Sequence, residues 1–293
     1  MTADHASSAR IWLRGVALLM VAAVLSACVS VMPTAPTPIA SEKYAAIVVD
    51  ASSGAVLYQY AADQPRYPAS LTKLMTIWMM FEALDQGRIQ KSTPIPVSEN
   101  ARRRPPTKIG FRAGETIDVD SAIRALVIRS ANDVATAVAE YLGGTEAAFA
   151  GQMTVRARSL GLSQTSFVNA SGLPDPGQRT SARDMARLSL ALRQRFAHHY
   201  HYFGQRSFTY AGKTIRSHNE LIGEVAGADG LKTGYIRASG YNLATSVRRD
   251  GRSVVAVVMG GESAADRNGR MKQLIDQFLP MATRQGGGRL SFF

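Results

Sequence analysis

The sequence predicts an α+β fold in which one antiparallel sheet takes strands from both ends of the chain and a helical lobe is inserted between them. Strand-like patterns occur near residues 44–60 and again near residues 241–259. Between them, from about residue 81 to residue 195, apolar positions recur mostly at helical spacing. This order is typical of a two-lobed domain with helices flanking the sheet, and a cleft between such lobes is a common place for a functional site.

The first folded element is predicted to be a β-hairpin. The runs Tyr44–Asp50 and Ala55–Tyr60 favour strands, and a Ser-Ser-Gly turn separates them. The chain then reaches Tyr67–Thr76, which predicts the opening turn of a helix, because Pro68 is tolerated at or just before the first helical position. Residues 74–84 are apolar almost all round, so we expect this helix to be buried.

The remaining elements follow from the same patterns. Helices are predicted near Asp120–Arg129, Ala131–Leu142, Thr145–Leu160, Ser181–Arg195 and Ala265–Ala282. Strands are predicted at Ser207–Tyr210, Thr214–Arg216, Tyr241–Val247 and Ser253–Met259. The prolines that follow Arg102-Arg103-Arg104 predict a loop, and this basic loop either rims a cleft or faces solvent.

Residues 1–27 have the pattern of an export signal. Arg10 and Arg14 precede an apolar run, Gly15–Leu25, that is too short to span a bilayer as a stable helix. The Leu-Ser-Ala-Cys sequence that ends at Cys28 resembles the lipobox of bacterial lipoprotein signals, in which cleavage before the cysteine is coupled to lipidation of its thiol. Cys28 is the only cysteine, so an internal disulfide is impossible and a lipid anchor is the favoured interpretation. A plain secretory signal cut nearby is the alternative.

Composition divides the rest of the chain. Residues 28–42 are rich in proline, threonine and alanine and predict a semi-extended linker, residues 43–284 are expected to form the folded domain, and residues 285–293 a flexible tail. The formal net charge is +12, and the chain stays basic without its first 27 residues. A basic surface suits nucleic acid, anionic lipid or an acidic polymer, and charge alone does not choose among them.

Ser70 and Lys73 are the first candidate catalytic residues. They are three positions apart, which places both side chains on one face of the predicted helix. Burial lowers the pKa of a lysine because water no longer solvates the ammonium, and a neutral amine can then take the proton of the serine. A Ser-x-x-Lys tetrapeptide also occurs by chance, with the lysine in solvent, so the interpretation depends on motifs downstream.

Two further motifs support a catalytic interpretation. Ser130-Ala131-Asn132 lies between two predicted helices, and Lys232-Thr233-Gly234 lies where the strand patterns resume. The order and spacing of the three motifs resemble those of penicillin-binding proteins and class A β-lactamases. The closer resemblance is to the D-alanyl-D-alanine carboxypeptidases of the low-molecular-mass penicillin-binding protein family, and it extends from about Tyr44 to Leu279. Beyond the motifs it includes residues 166–173, 177–186, 240–243 and 259–261.

The resemblance implies a β-lactamase/transpeptidase-like fold and a role for each motif residue. Ser70 would attack the substrate carbonyl with Lys73 as its base. Ser130 would relay a proton to the departing amine and would be held by Lys73 and Lys232. The backbone N–H groups of Ser70 and Tyr235 would stabilise the tetrahedral oxyanion.

The same resemblance implies a set of substrate-binding residues. They are Asn132, Lys232, Thr233, Gly234, Tyr235 and Arg267. Asn132 would hydrogen-bond the backbone amide of the substrate, and Thr233 would supply a hydroxyl near its C-terminal carboxylate. Arg267, eight residues after Met259, carries a guanidinium whose planar donor fork matches a carboxylate. The alternative is that Arg267 is a surface residue of the terminal helix.

The sequence also departs from related families. Class A β-lactamases carry a Glu-x-x-Leu-Asn segment for deacylation, and none occurs between Asn132 and Lys232. We therefore expect β-lactams to act as slowly released covalent inhibitors. Many carboxypeptidases of the resembled family carry a second, β-rich domain and an amphipathic anchoring helix. This chain ends soon after the last predicted helix, so we expect that domain to be absent and a lipid on Cys28 to replace the anchor.

No metal or other cofactor is expected. His198, His199 and His201 form a histidine cluster, but no carboxylate or thiol nearby in the sequence is spaced for ligation. The end of a helix, where positive charge is tolerated, is the favoured explanation for them.

The first functional hypothesis is a lipid-anchored, exported serine carboxypeptidase that removes the terminal D-alanine from peptidoglycan stem pentapeptides. Its expected partners are those stem peptides, β-lactams as covalent inhibitors and a membrane, with no nucleic acid. A D-alanyl-D-alanine endopeptidase that cleaves cross-links is the enzymatic alternative, and a β-lactamase is less favoured. A non-catalytic wall-binding lipoprotein is the alternative from another class, but such a protein would not need both lysines.

Overall fold

A five-stranded antiparallel sheet with the strand order β2-β1-β9-β8-β7 forms the centre of the protein in the computed structural model, which describes residues 41–284. Its strands are β1 (Ala45–Asp50), β2 (Val56–Tyr60), β7 (Ala228–Ile236), β8 (Gly240–Arg249) and β9 (Arg252–Gly261). Two small two-stranded sheets pair β3 (Pro94–Pro96) with β4 (Thr116–Asp118) and β5 (Ser207–Tyr210) with β6 (Lys213–Arg216). The strand order confirms that the sheet takes its strands from both ends of the chain.

The helices lie mainly between β2 and β7. They are α1 (Lys73–Asp85), α2 (Glu99–Arg102), α3 (Val119–Arg124), α4 (Asn132–Gly143), α5 (Glu146–Ser159), α6 (Ala182–Arg195), α7 (Leu221–Glu224) and α8 (Ala264–Phe278). A π-helical turn, Ala125–Arg129, continues α3. The predicted α+β architecture with an inserted helical lobe is confirmed.

Both faces of the sheet are buried. Along β1, Ala45, Ile47 and Val49 belong to one apolar cluster, whereas Ala46 and Val48 belong to another. This alternation follows from the period of two along a strand. The first cluster includes α1 and the inner side of α6, and the second includes the apolar side of α8. Helix α1 lies within the first cluster and is buried on nearly all sides, as its apolar sequence predicts.

Side-chain caps explain where several helices begin. The hydroxyl of Thr145 accepts from the N–H of Ala148 at the start of α5. The hydroxyl of Ser181 does the same for α6, and that of Ser263 does so for α8. Such caps satisfy N–H groups that have no acceptor within the helix.

The basic stretch at residues 102–104 differs from its prediction. Arg102 ends α2 instead of belonging to a loop. Arg102 and Arg103 form ion pairs with Glu99, and Arg104 pairs with Glu146. The three guanidinium groups are therefore held by carboxylates of the same lobe, and none of them lines the catalytic cleft described below.

The histidine cluster lies beside Asp85, a carboxylate that is far from it in the sequence and that sequence reasoning therefore did not identify. Nε2 of His198 lies 2.8 Å and Nε2 of His199 lies 3.1 Å from Oδ1 of Asp85, at the end of α1. The three residues offer ligand atoms within 4.8 Å of one another. Nη1 of Arg195 lies 3.7 Å from the other oxygen of Asp85, and this positive charge disfavours a metal cation there.

Several predictions concern residues outside the described part of the chain. The export signal, Cys28, most of the predicted linker and the glycine-rich tail fall within residues 1–40 and 285–293. Among the described residues, none of the helices is both long enough and apolar enough to cross a membrane.

Candidate active site

The three motifs meet at one cleft with a volume of about 360 Å³. Residues that line it include Ser70, Ser130, Asn132, Thr233, Gly234, Tyr235 and Arg267. They come from the turn before α1, the junction of α3 and α4, strand β7 and helix α8. Residues separated by up to 197 positions in the sequence are thus brought to a single site, as the motif spacing predicts.

Ser70 and Lys73 lie side by side at the floor of the cleft. Ser70 belongs to a 3-10 turn, Ala69–Thr72, which follows Pro68 and leads directly into α1. Nζ of Lys73 lies 3.1 Å from Oγ of Ser70. Lys73 is fully buried, which excludes the alternative in which it reaches solvent.

The surroundings of Lys73 suit a neutral amine. Its Nζ also donates to Oδ1 of Asn132 at 2.8 Å and to the carbonyl of Ser171 at 2.6 Å. Burial lowers the pKa of Lys73 well below its ordinary value, and the nearby charge of Lys232 lowers it further. Two fixed acceptors take the two N–H groups of a neutral amine, so its lone pair faces the Ser70 hydroxyl and can accept that proton.

A loop that precedes α6 supplies the carbonyl of Ser171. Oδ1 of Asn169 accepts from the N–H groups of Ser171 at 3.2 Å and Gly172 at 2.7 Å, which fixes the turn. Gly172 has φ of +83°, and a Cβ at this position would lie 1.8 Å from the carbonyl oxygen of Ala69. Only glycine fits where this loop packs on the Ser70 turn.

One carboxylate joins this loop to the opposite side of the cleft. Oε1 of Glu146 accepts from the N–H of Ala170 at 3.1 Å and from the hydroxyl of Thr136 at 3.2 Å. Its other oxygen pairs with Arg104, just before the segment that contributes Thr107 to the cleft. Glu146 therefore fastens two walls of the cleft to the start of α5.

Ser130 lines the cleft, but its contacts differ from those that the family resemblance implies. The residue is in the left-handed conformation, with φ of 60°, where the π-helical turn ends. Its buried hydroxyl has no hydrogen-bond partner within residues 41–284. Lys73 donates to Asn132 and Ser171, and Lys232 donates to the carbonyl of Thr233 at 2.9 Å. The expectation that both lysines hold Ser130 is therefore wrong for the free cleft, although Ser130 does line it.

Asn132 is engaged at both ends of its amide. Its Oδ1 accepts from Lys73, and its Nδ2 donates to the carbonyl of Pro105 at 2.9 Å. The backbone N–H of Asn132 also donates to the carbonyl of Thr107 at 2.7 Å. Asn132 thus orients the lysine and holds the 105–107 segment at the cleft.

Positive charge is concentrated at the end of the cleft that contains Thr233. Lys232 is buried, and burial together with the charge of Arg267 lowers its pKa to about 7. Arg267 is only 4% exposed and lines the cleft, so it is not a surface residue of α8. Its guanidinium donates to Oδ1 of Asn268 through Nε and Nη2. His218, which sequence reasoning did not identify, also lines the cleft. The cationic groups of Lys232 and Arg267 favour an anionic ligand.

Strand β7 passes close to the Ser70 turn. A Cβ at Gly234 would lie 3.0 Å from the backbone nitrogen of Ser70 and 3.2 Å from that of Leu71. The glycine therefore lets the strand backbone approach the turn, and it brings the backbone of Tyr235 next to Ser70. Tyr235 itself is half exposed, and its ring lies 4.3 Å from that of Tyr241.

Asn242 is a further positioning residue that the motifs did not identify. Its Nδ2 donates to the carbonyls of Tyr67 at 3.0 Å and Pro68 at 3.1 Å, and its Oδ1 accepts from the N–H of Gly260 at 3.0 Å. The fully buried amide thus attaches the segment before Ser70 to β8 and β9. Residues 240–243 are part of the family resemblance, but the positions of the motifs in the sequence do not indicate which backbone groups the side chain of Asn242 binds.

Comparisons with known proteins agree with this geometry. Residues 31–263 match the family model for D-alanyl-D-alanine carboxypeptidase, peptidase family S11. The chain is 33% identical over 243 residues to the D-alanyl-D-alanine carboxypeptidase DacF of Bacillus subtilis, covering 81% of this chain and 62% of that protein. It is also 33% identical to DacD of Escherichia coli, covering 83% of this chain and 65% of that protein. The chain thus spans less than two thirds of the length of these relatives.

Solved structures give the same result. Penicillin binding protein 6B from Escherichia coli superposes with a TM-score of 0.75 at 33% identity, covering 84% of this chain and 80% of that one. Penicillin-binding protein D2 from Listeria monocytogenes in the ampicillin-bound form gives a TM-score of 0.73 at 29% identity, covering 80% of this chain and 95% of that one. With the three motifs gathered at one cleft, the chain belongs to the D-alanyl-D-alanine carboxypeptidase family.

Proposed function

We propose that the protein is a serine-type D-alanyl-D-alanine carboxypeptidase that removes the terminal D-alanine from peptidoglycan stem pentapeptides through an acyl-enzyme on Ser70. One observation carries the proposal. Nζ of the fully buried Lys73 lies 3.1 Å from Oγ of Ser70, while its other contacts are two fixed acceptors. Family membership supports the same reaction.

The chemistry follows from these contacts. Ser70 transfers its proton to Lys73 as its Oγ forms a bond to the carbonyl carbon of the penultimate D-alanine. The C–N bond to the terminal D-alanine then breaks, and the departing amine takes a proton from the hydroxyl of Ser130. Lys73 then passes the proton that it took from Ser70 to Ser130. Water hydrolyses the ester and restores the Ser70 hydroxyl. The N–H groups of Ser70 and Tyr235 stabilise the oxyanion, and loss of one such donor typically costs about 10²–10³ in rate.

Substrate binding uses the positive end of the cleft. The terminal carboxylate binds to Arg267 and Thr233, with Lys232 supplying charge beneath them. Asn132 hydrogen-bonds the amide of the substrate. To do so, its Nδ2 gives up its hydrogen bond to the carbonyl of Pro105. Penicillins acylate Ser70 in the same way, in line with the ampicillin-bound and cefotaxime-bound relatives from Listeria monocytogenes. Because no Glu-x-x-Leu-Asn segment lies between Asn132 and Lys232, release of the penicilloyl group is slow.

The Ser70→Ala variant tests the proposal. We expect it to lose both covalent labelling by a fluorescent penicillin and D-alanine release from a pentapeptide, since the alanine has no nucleophile. Ser159→Ala, at an exposed position near the end of α5, serves as a control and keeps both activities. Persistent labelling of the Ser70→Ala protein would exclude Ser70 as the nucleophile.

We also propose that the protein is exported to the cell envelope and anchored there by a lipid on Cys28. The lipobox-like sequence at residues 25–28 supports this, and an envelope location suits an enzyme that acts on peptidoglycan. Cys28→Ser should move the protein from the membrane fraction to the soluble fraction of the envelope. A variant that stays with the membranes would argue against the lipid anchor.

A further inference from the structure

The guanidinium of Arg267 is held by the side chain of the next residue, Asn268. Nε and Nη2 of Arg267 donate to Oδ1 of Asn268 at 3.1 Å and 2.8 Å. The third nitrogen, Nη1, has no hydrogen-bond partner within residues 41–284. Successive residues on a helix do not normally face each other, so the long side chain of Arg267 turns back to reach Asn268. This contact fixes the direction of the guanidinium and leaves Nη1 available.

The other end of the Asn268 amide is bound by Glu220. Nδ2 of Asn268 donates to Oε2 of Glu220 at 2.9 Å. A guanidinium only donates hydrogen bonds and an ionised carboxylate only accepts them, so a single orientation of the amide satisfies both partners. Asn268 is only 7% exposed, which makes the loss of either bond costly. Glu220 thus keeps Oδ1 of Asn268 turned towards Arg267.

These three residues connect two elements at the catalytic cleft. Arg267 and Asn268 belong to α8, whereas Glu220 immediately precedes α7. Arg267 and Glu220 both line the cleft, and Glu220 is the only acidic residue that does so in the described part of the chain. The bridge through Asn268 therefore ties the direction of Arg267 to a second wall of the cleft.

A neutral amide between the two charges preserves the charge of Arg267. A carboxylate in direct contact with the guanidinium would neutralise it and would compete with an anionic ligand. Glu220 acts from the far side of the amide instead. Burial lowers the pKa of Arg267, and the charge of Glu220 opposes this shift. The arrangement thus holds the guanidinium in place while keeping it charged.

We propose that Asn268, itself oriented by Glu220, is a positioning residue that directs the guanidinium of Arg267 at the terminal carboxylate of the substrate. This inference rests on the proposed function, because that function assigns the carboxylate to Arg267. A guanidinium that is already fixed loses less side-chain freedom when the substrate binds. The Asn268–Glu220 pair therefore determines how strongly the enzyme selects a free C-terminus over a blocked one.

Two peptides measure this selection on the purified protein. One is a pentapeptide with a free C-terminal D-alanine, and the other is the same peptide with a C-terminal amide, which lacks the negative charge. We expect the wild type to cleave the acid with a kcat/KM about 30-fold above that of the amide, as is typical for hydrogen bonds to a charged group.

Exchanging the charges of the pair tests its role. Asn268→Asp sets two carboxylates against each other and neutralises the guanidinium. We expect the preference for the acid to fall to about threefold, mainly through a higher KM for the acid. In Asn268→Asp/Glu220→Gln the glutamine amide can donate to the new carboxylate, and the pair has its original total charge. The preference should recover to about tenfold.

Two further variants serve as comparisons. Glu220→Gln keeps an oxygen that accepts from Nδ2 of Asn268, so its preference should stay near about 30-fold. Asn100→Asp is the matched control, because Nδ2 of Asn100 donates to Oε1 of Glu140 at 2.7 Å and neither residue lines the catalytic cleft. It creates a similar pair of carboxylates elsewhere and should leave both rates unchanged. Urea unfolding checks that each variant keeps its fold.

Other outcomes overturn the inference. Equal losses on the acid and the amide in Asn268→Asp would indicate a structural role for Asn268. A double variant no better than Asn268→Asp would show that Glu220 does not act through the amide. If the wild type cleaves both peptides equally well, Arg267 does not select the carboxylate, and the carboxypeptidase proposal stands. If it cleaves neither peptide, the proposed function fails, and acylation by benzylpenicillin and by its methyl ester then measures the same selection.

Discussion

Lys73 and Lys232 are both buried, but their contacts give them different chemistry. Lys73 has two fixed acceptors and a hydroxyl around its nitrogen, which suits a neutral base. Lys232 donates to the carbonyl of Thr233, and its pKa, lowered by burial and by Arg267, remains near 7. It therefore keeps a substantial share of its charge at neutral pH, as its proposed role beside the substrate carboxylate requires.

The rate of acylation should therefore depend on pH in two directions. The second-order rate constant for penicillin acylation of Ser70 rises with pH as Lys73 loses its proton. It falls as pH rises through about 7, because Lys232 then loses the charge that attracts the carboxylate of the inhibitor. Stopped-flow acylation between pH 5 and pH 10 measures both limbs. In Lys232→Arg, whose charge persists, the alkaline limb should move up by more than about one pH unit. An unchanged alkaline limb would assign it to another group.

The motif residues could be predicted from the sequence, but their partners could not. The spacing of Ser70 and Lys73 places them on one face of a turn, and the resemblance adds Ser130, Asn132 and Lys232. The carbonyl that orients Lys73 comes from Ser171, 98 residues further along the chain. A sequence pattern of a few residues cannot reveal a contact between residues so far apart in the chain. The hydroxyl of Ser130 has no partner within residues 41–284, because both lysines donate to other groups, and no sequence pattern indicates this.

At the scale of elements, the geometry of the site depends on how closely the loop at residues 169–173 and strand β7 pack against the turn that carries Ser70. The loop at residues 169–173 lies against the 3-10 turn that carries Ser70, and Gly172 makes this approach possible. Strand β7 approaches the same turn from another side at Gly234. Glycine at these two positions thus determines where the Ser70 hydroxyl lies.

Gly172→Ala should be far more damaging than an alanine at a comparable glycine. The added Cβ would overlap the carbonyl of Ala69 and would hold a left-handed φ, so we expect a loss of about 3 kcal/mol or more in the free energy of unfolding. Penicillin acylation should fall at least about tenfold, since the Ser70 turn must shift.

Gly144→Ala is the matched control for this substitution. Gly144 also has a positive φ, of +77°, but no atom of the described part of the chain lies within 4 Å of its added Cβ. It should cost only about 1 kcal/mol and leave acylation unchanged. Urea unfolding and acylation rates of the two variants measure the difference. Equal losses of stability would mean that backbone strain, and not the contact with Ala69, limits position 172.

Most helices and strands were predicted well, including the short pair β5 and β6. The nine-residue strand β7 was recognised only as the region where strand patterns resume. The helices near 131–142, 145–160 and 181–195 are found within a few residues of their predicted limits, because periodicity and capping residues act locally. The β3–β4 pair was missed, since its strands have three residues each and β3 contains two prolines. The π-helical end of the predicted 120–129 helix was also missed, since π-helical turns are rare.

At the scale of the whole domain, one buried carboxylate joins the start and the end of the described chain. Asp50, at the end of β1, is 1% exposed. Its Oδ2 accepts from the N–H of Thr283, and its Oδ1 accepts from the N–H of Ser52, both at 2.8 Å. Because the sheet combines strands from both ends of the sequence, this contact closes the domain at one corner.

Asp50 should make the stability of the domain depend on acid pH. Burial alone would raise its pKa, but hydrogen bonds from Thr283, Ser52 and Ser53 lower it to about 2. A lowered pKa stabilises the fold above the unfolded value near 4, and this contribution is lost as pH falls through about 2. We expect Asp50 to account for about 2 kcal/mol of that loss.

Urea unfolding of the wild type and of Asp50→Asn between pH 2 and pH 5 measures this contribution. The amide cannot ionise, so the difference in unfolding free energy between the two proteins should shrink steadily as the medium becomes more acidic. A difference that stays constant over this range would show that the carboxylate does not titrate in the predicted way.

The attachment of two cleft walls to Glu146 has a consequence for inhibitor selectivity. This carboxylate holds both the loop at Ala170 and, through Arg104, the segment before Thr107. If a bulky acyl substituent is to fit between these walls, the contacts of Glu146 oppose their separation. Efforts to admit larger antibiotics should therefore begin by loosening this remote tether instead of reshaping the surface that the drug touches.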